Sequence, residues 1–183
     1  MAWKTAFRLL AAGMLALMAA VPSQAAPSQA VAPAPKLTYA FSMRIEVAPP
    51  VEQGEIDGAR QRFIPITGGT ISGPRLQGTV LPGGGDWQAI NPGGLAVVHA
   101  RYQLRAADGT VIGIDNQGVR VASAEVTERL ARGEEVDPDA YYFRTTPVFA
   151  VADGPHAWLR RATFVARGIR KPDHVVIDVY QVE

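Results

Sequence analysis

An all-β fold, a single closed or nearly closed antiparallel β-barrel with one short helix at about residues 123–132, is predicted by three features of the sequence. Leu37–Val47, LTYAFSMRIEV, alternates apolar and small or polar residues along its length, which is the period of a half-buried strand. Further runs rich in branched and aromatic residues are punctuated by Gly and Pro turns, as in barrels and sandwiches. Residues 66–87, ITGGTISGPRLQGTVLPGGGDW, hold seven glycines in 22 positions. Glycines threaded through Thr, Ile, Leu and Val mark points where a strand bends or bulges, and tightly coiled sheets need such points to close.

The chain begins with an address rather than a fold. Lys4 and Arg8 precede an uncharged apolar run at residues 9–21, shorter than the roughly 20 residues that span a bilayer as a helix. Ser23-Gln24-Ala25 supplies small residues at the positions a secretory peptidase reads. The expectation is a signal peptide over 1–25, cut after Ala25 with Ala30 as second choice, an Ala/Pro leader over 26–35, and a barrel domain over 36–183. The predicted location is periplasmic or secreted, with no stable membrane insertion after cleavage.

Cleavage removes Lys4 and Arg8, so 18 basic residues become 16 against 17 acidic ones. That balance points to neither nucleic acid nor an anionic membrane as a partner. The sequence has no cysteine, so stability rests on a hydrophobic core without disulfides. An integral outer-membrane barrel is disfavoured because Arg44 and Glu46 stand opposite an apolar face that can serve as core, and because the sequence closes on Tyr180-Gln181-Val182-Glu183 without a terminal aromatic.

In the first strand Leu37, Tyr39, Phe41, Met43, Ile45 and Val47 are expected on one face, with Pro49-Pro50 as its stop. Residues 62–66, the two halves of the glycine-rich run and residues 87–90 are the next candidate strands, with Pro82-Gly83-Gly84-Gly85 as a loop at the barrel rim. Residues 95–105 alternate again, with Val98, Ala100, Tyr102 and Leu104 opposite His99, Arg101, Gln103 and Arg105. Asp108-Gly109 is a two-residue hairpin signal, and Asn116-Gln117-Gly118 reads as the following turn. Ser123 as a cap, Glu125 in the first turn, Arg129 and Arg132 near the end and Gly133 beyond it define the helix. Val126 and Leu130 can share its buried face, and Glu125 can pair with Arg129. Residues 141–145, 148–151, 157–168 and 174–182 complete the strands.

The glycine run does not resemble a phosphate loop. It contains no lysine, lacks the G-x-G-x-x-G spacing, and Pro74 follows Gly73, whereas both nucleotide motifs need those parts and a helix after them. His99, His156 and His174 show no metal-ligand spacing, no G-x-S-x-G turn is present, and no cofactor is expected.

Seven residues are candidates for a ligand site. Asp86 and Trp87 follow the glycines and fit either an acid with a stacking wall or a turn cap with a barrel plug. Arg101 lies on a polar row that is either solvated surface or lumen lining, and Tyr102 is its neighbour. Tyr142 and Arg144 share a face, and Arg144 can grip a carboxylate or pair with Asp115 or Asp178. Trp158 fits a core or a wall. Asp86, Tyr142 and Arg144 are the weak candidates for proton transfer.

GGTISGPRLQGTVLPGGGDW, ARYQLRAADG, YYFRTTPVF and AWL occur in this order, and together they resemble the family known as domain of unknown function 3237, over residues 36–182. The resemblance implies one compact antiparallel β-barrel and says little about chemistry, although some fungal relatives are associated with non-redox ring closure of aromatic polyketides. Members usually carry Trp-Leu-Asn where this chain has Trp158-Leu159-Arg160, and the export signal is a second departure from a family with many cytoplasmic members. The expected function is an exported barrel that binds a small aromatic or carboxylate-bearing molecule. The alternative is a cofactor-independent isomerase, cyclase or hydrolase using the same cavity.

Overall fold

The computed structural model describes residues 32–183. The predicted signal peptide and the start of the leader lie outside the described residues. The elements are β1 (Leu37–Val47), β2 (Val51–Ile56), β3 (Ala59–Ser72), β4 (Gly78–Ile90), β5 (Leu95–Ala106), β6 (Val111–Val121), α1 (Ala124–Ala131), β7 (Tyr142–Ala150), β8 (Phe164–Arg170) and β9 (His174–Val182), with 3-10 turns at Pro138–Ala140 and Ala157–Arg160. The sheet runs β1-β9-β8-β7-β6-β5-β4-β3, and β3 pairs back onto β1. Eight antiparallel strands therefore close a barrel, as the sequence predicts, while β2 only extends β3 as an exposed hairpin.

The glycine-rich run forms most of β3 and β4 and the turn between them. Closure depends on backbone approaches that a side chain would block. At Gly69 (φ +145°) a Cβ would stand 2.0 Å from the Arg44 carbonyl oxygen, and at Gly78 (φ +155°) 2.0 Å from that of Arg105. Against β1, β3 carries one extra residue between Ile66 and Gly68. That single extra residue lets Ile64 and Ile66 before it, and Ile71 after it, all point inward. On β4 the slip spans Leu81 to Gly85 and adds two residues, which preserves alternation. Val80, Asp86 and Gln88 consequently share the inner face, and Trp87 points out. Pro82-Gly83-Gly84-Gly85 is this mid-strand bulge, not the rim loop that its composition suggests.

Other expectations are corrected in the same way. Ala40 is bulged out of the β1–β9 ladder between Tyr39 and Phe41, so Leu37 and Tyr39 face solvent while Phe41, Met43 and Ile45 face inward. Asn116-Gln117-Gly118 is not a turn: it pairs with both β5 and β7 in the middle of β6. Residues 142–150 form one strand through Pro147, and Trp158 sits in a 3-10 turn rather than mid-strand. The helix matches its signals. Ser123 Oγ accepts from the Val126 N–H at 3.2 Å, and Leu130 is buried beside Val126. Arg129, however, pairs with Glu134 at 3.0 Å rather than with Glu125.

Two hydrophobic clusters divide the interior. The larger fills one end of the barrel with Phe41, Met43, Leu104, Ile112, Phe149, Leu159, Phe164 and Val179. Its rings meet edge to face, Phe149 against Phe41 at 6.0 Å and against Phe164 at 5.2 Å, an arrangement worth about 0.5–1.5 kcal/mol per pair beyond burial. The smaller cluster, Val98, Ala122, Leu130, Val136, Tyr141 and Phe143, joins α1 and the following segment to the other end. A polar layer lies between them.

Candidate functional site

Period-two alternation builds that polar layer. Several strands that send aliphatic residues inward at one end of the barrel send a polar residue inward, at the same parity, toward the other. On β6 the inner row is Ile112, Ile114, Asn116 and, past Gly118, Arg120; on β4 it ends in Asp86 and Gln88; on β8 Phe164 and Ala166 lead to Arg170. The polar members of these rows, Asp86, Gln88, Asn116, Arg120 and Arg170, line one cavity together with Thr145, Tyr102 and the aliphatic chains of Ile45, Ile64, Val98 and Val175. Its atom-free space is about 590 Å³, including the open mouth, and about 50 Å³ of it can be reached by the centres of water-sized molecules. That exceeds the roughly 10–15 Å³ one water requires and fits a small guest.

Asp86 is held by a short relay. Its Oδ1 accepts from the His99 backbone N–H at 3.0 Å, and its Oδ2 accepts from Gln88 Nε2 at 2.5 Å. Gln88 Oε1 in turn accepts from Arg62 Nε at 2.9 Å and Nη2 at 2.7 Å. Burial pushes the Asp86 carboxyl above the ordinary carboxylate range, although the Gln88 and His99 hydrogen bonds and the charges of Arg62 and Arg120 pull the other way. Burial, then the neighbouring Arg120 and Arg60, brings the Arg62 guanidinium down to about 10. Burial likewise lowers Arg120, with Arg170 adding repulsion, and lowers Arg170. Burial raises the Tyr102 phenol, the Asp86 charge raises it further, and the neighbouring Asn116 amide pulls it down; its hydroxyl donates to Met43 Sδ at 3.8 Å.

Three guanidiniums thus lie within electrostatic reach of one carboxylate, Arg120 and Arg170 on the cavity wall and Arg62 outside it. Arg62 is committed to Gln88, and Arg170 Nη1 donates to the Lys171 and His174 carbonyls at 2.7 and 3.3 Å. Arg120, 7% exposed, makes no side-chain hydrogen bond among the described residues. Asn116 and Thr145 are each 3% exposed, and neither Asn116 Oδ1 nor Thr145 Oγ1 has a partner. Buried polar atoms without partners are rare in folded proteins and call for an explanation such as a bound water or ligand.

Of the seven sequence candidates, the structure brings only Asp86 and Tyr102 together in this cavity. Trp87, 46% exposed, stacks on Phe63 outside the barrel at 4.8 Å between centroids, because odd-numbered β4 residues after the bulge face solvent. Arg101 is on the outer face of β5, bonded to Asp115 at 2.8 Å. Burial alone would raise Asp115, but hydrogen bonds from His99, Gln117 and Arg101 hold it below the usual carboxylate range. Tyr142 is 52% exposed, and Arg144 lies over its ring at 5.1 Å while donating to the Phe143 carbonyl at 2.9 Å. Neither Asp115 nor Asp178 is the partner of Arg144. Trp158 packs on Phe164 at 5.7 Å beneath the Arg75 guanidinium at 3.8 Å, at the filled end. Arg160 pairs with Asp153 on the surface, away from the cavity.

Sequence reasoning missed Arg62, Gln88, Asn116, Arg120, Thr145 and Arg170. The signal that finds them is parity: Arg62 shares its face with Ile64 and Ile66, and Arg120 shares its face with Ile112 and Ile114. Among the described residues no cluster of His, Asp and Glu side chains is arranged to hold a metal ion.

The family model described as "Protein of unknown function (DUF3237)" matches residues 35–182. The UPF0311 protein RPA1785 of Rhodopseudomonas palustris is 40% identical over 79% of this chain and 94% of its own length. The UPF0311 protein of Clostridium acetobutylicum is 40% identical over 78% of this chain and 90% of its own. The crystal structure of the Rhodopseudomonas protein superposes with a TM-score of 0.80 over 83% of this chain and all of that one, at 38% identity. A beta-barrel like protein from Acinetobacter baumannii gives 0.73 at 36% identity, over 85% of this chain and all of that one. A structure described as an enzyme from Penicillium herquei shares the fold at 19% identity and a TM-score of 0.65, over 85% of this chain and all of that one. The chain belongs to the DUF3237 family.

Proposed function

We propose that this member of the DUF3237 family is an exported barrel that binds a small molecule in the polar half of its interior. The observation that carries the reading is the pair of unpartnered buried oxygens, Asn116 Oδ1 and Thr145 Oγ1, on two residues that line a cavity whose wall combines charged groups and aliphatic chains. Leaving such atoms unpaired costs about 1–3 kcal/mol each, which a guest with hydrogen-bonding groups would offset. Of the two guest classes the sequence suggests, the inner wall favours the carboxylate-bearing one. Arg120 and Arg170 offer positive charge, whereas Trp87 and Tyr142 stand outside and Trp158 sits at the filled end. Export rests on the basic start, the apolar run at 9–21 and Ser23-Gln24-Ala25.

Native mass spectrometry of the protein recovered from whole cultures of its own host tests both parts. A mature chain starting at Ala26 and carrying a small non-covalent adduct is expected. An intact N-terminus would remove the export reading, and a bare chain the binding reading.

Asp86 favours a second reading, a cofactor-independent enzyme in the same cavity. A buried carboxyl with a raised pKa, beside guanidiniums able to stabilise a developing oxyanion, is suited to exchanging a proton with a bound guest. Deuterium incorporation from solvent into the recovered guest, lost in Asp86→Asn, would separate enzyme from binder.

A further inference from the structure

Resting on the proposed binding role, we infer that the cavity selects a small hydroxycarboxylic acid, its carboxylate against Arg120 and its hydroxyl donating to Asn116 Oδ1. Charge is the first observation. Buried Arg120 and half-buried Arg170 line the cavity with one carboxylate, and Asp86 already accepts from Gln88 and the His99 N–H. The inner wall is therefore short of negative charge, and Arg120 has no hydrogen-bonded acceptor of its own. A guanidinium presents paired N–H donors that match a carboxylate in bidentate fashion.

Polarity of the orphaned atoms is the second. An amide oxygen only accepts, so Asn116 Oδ1 requires a guest that also donates. Simple carboxylates, halides and nitrate supply acceptors alone and would leave it unpaired. A hydroxyl beside the carboxylate supplies the donor, and Thr145 Oγ1, able to donate or accept, suits either end of such a guest. Size is the third observation: about 50 Å³ is open to the centres of water-sized molecules, and the wall between the polar groups is Ile45, Ile64 and Val98. A short aliphatic body fits there; an extended aromatic system does not.

The test is calorimetric titration of the purified protein with 2-hydroxybutyrate, butyrate, 2-hydroxybutyramide and inorganic phosphate. 2-Hydroxybutyrate is expected to bind at least about ten-fold tighter than butyrate or the amide, since a site that pairs a guest hydroxyl rejects the analogue lacking it. Arg120→Met is expected to erase the difference between acid and amide, and Asn116→Leu the difference between 2-hydroxybutyrate and butyrate. The wild-type comparison stands alone if either variant fails to fold. Equal affinity for acid and amide, equal affinity for hydroxylated and deoxy acids, or tighter binding of phosphate overturns the assignment. If the native protein carries a guest of another class, the assignment falls and the binding role survives. If it carries none and no probe binds, both fall.

Discussion

The two halves of the barrel interior are built on the same inward-facing rows and have opposite characters. One half is packed with Phe41, Phe149, Phe164, Leu104 and Val179; the other gathers Asp86, Gln88, Arg120, Arg170, Asn116 and Thr145 around a cavity. β6 contributes Ile112 and Ile114 to the first and Asn116 and Arg120 to the second, within one strand. The filled half gains from burial and edge-to-face ring contacts. The polar half bears desolvated charges and unpaired oxygens, and buried ion pairs are weak sources of stability. The difference teaches that stability and recognition are separated along the barrel axis. Substitutions should therefore sort by position along a strand.

The largest expected effect lies at the filled end. Phe164→Ala should lose about 3–5 kcal/mol in urea unfolding, since truncating a buried Phe leaves a cavity among rings that cannot collapse. Guest binding per folded molecule should persist. A loss below about 1 kcal/mol would show that this half is not the stabilising one.

Next comes Gly69, which lies between the halves and pairs with Ile45 and Val80. Gly69→Ala forces a Cβ to 2.0 Å from the Arg44 carbonyl oxygen at φ +145°. It should cost roughly 2–4 kcal/mol through backbone strain and displacement. An unchanged denaturation midpoint would remove the role of the glycines in closing the barrel.

Asp86 sharpens the comparison through pH. Its folded pKa is raised by burial, so its stabilising share is complete below the ordinary carboxylate range and is lost as pH rises through the folded value. Asp86→Asn, which stays neutral, should therefore gain stability relative to the wild type as thermal unfolding is followed from acid to mildly alkaline buffer. The opposite trend would mean that the surrounding guanidiniums outweigh desolvation.

The smallest effect is expected at Thr145. Thr145→Val removes an unpartnered hydroxyl at nearly constant volume and should raise the stability of the guest-free protein by about 1 kcal/mol, the lower end of what leaving it unpaired costs, while weakening guest binding. A loss above about 2 kcal/mol would indicate a hydrogen bond essential to the fold.

Much of this architecture is legible in the sequence. Ser123, the Val126–Leu130 spacing and Gly133 specify the helix locally, and alternation over 95–105 assigns the inner row of β5 without tertiary information. Bulges are less visible. Nothing local distinguishes Ala40 as the residue that turns Leu37 and Tyr39 outward, and Pro82-Gly83-Gly84-Gly85 has turn composition although pairing with β3 and β5 keeps it in a strand. Asn116-Gln117-Gly118 misleads for the same reason, as ladders on both sides override local propensity.

The candidate site was legible only at Asp86 and Tyr102. Charged residues such as Arg62, Arg120 and Arg170 read as solvated surface by type and as interior by parity, and parity wins because the barrel has no other side to offer them. Trp87 and Arg144 were drawn into the site by their chemistry and excluded from it by the same alternation.

The density inside the barrel in a near-atomic crystal structure of the protein purified from its own host tests the central claim most directly. The account predicts a small guest spanning Arg120 and Asn116 Oδ1, with the Phe164 end filled by side chains alone. A cavity holding only water, or one collapsed so that Arg120 pairs with Asp86 and Thr145 with Asn116, would contradict it.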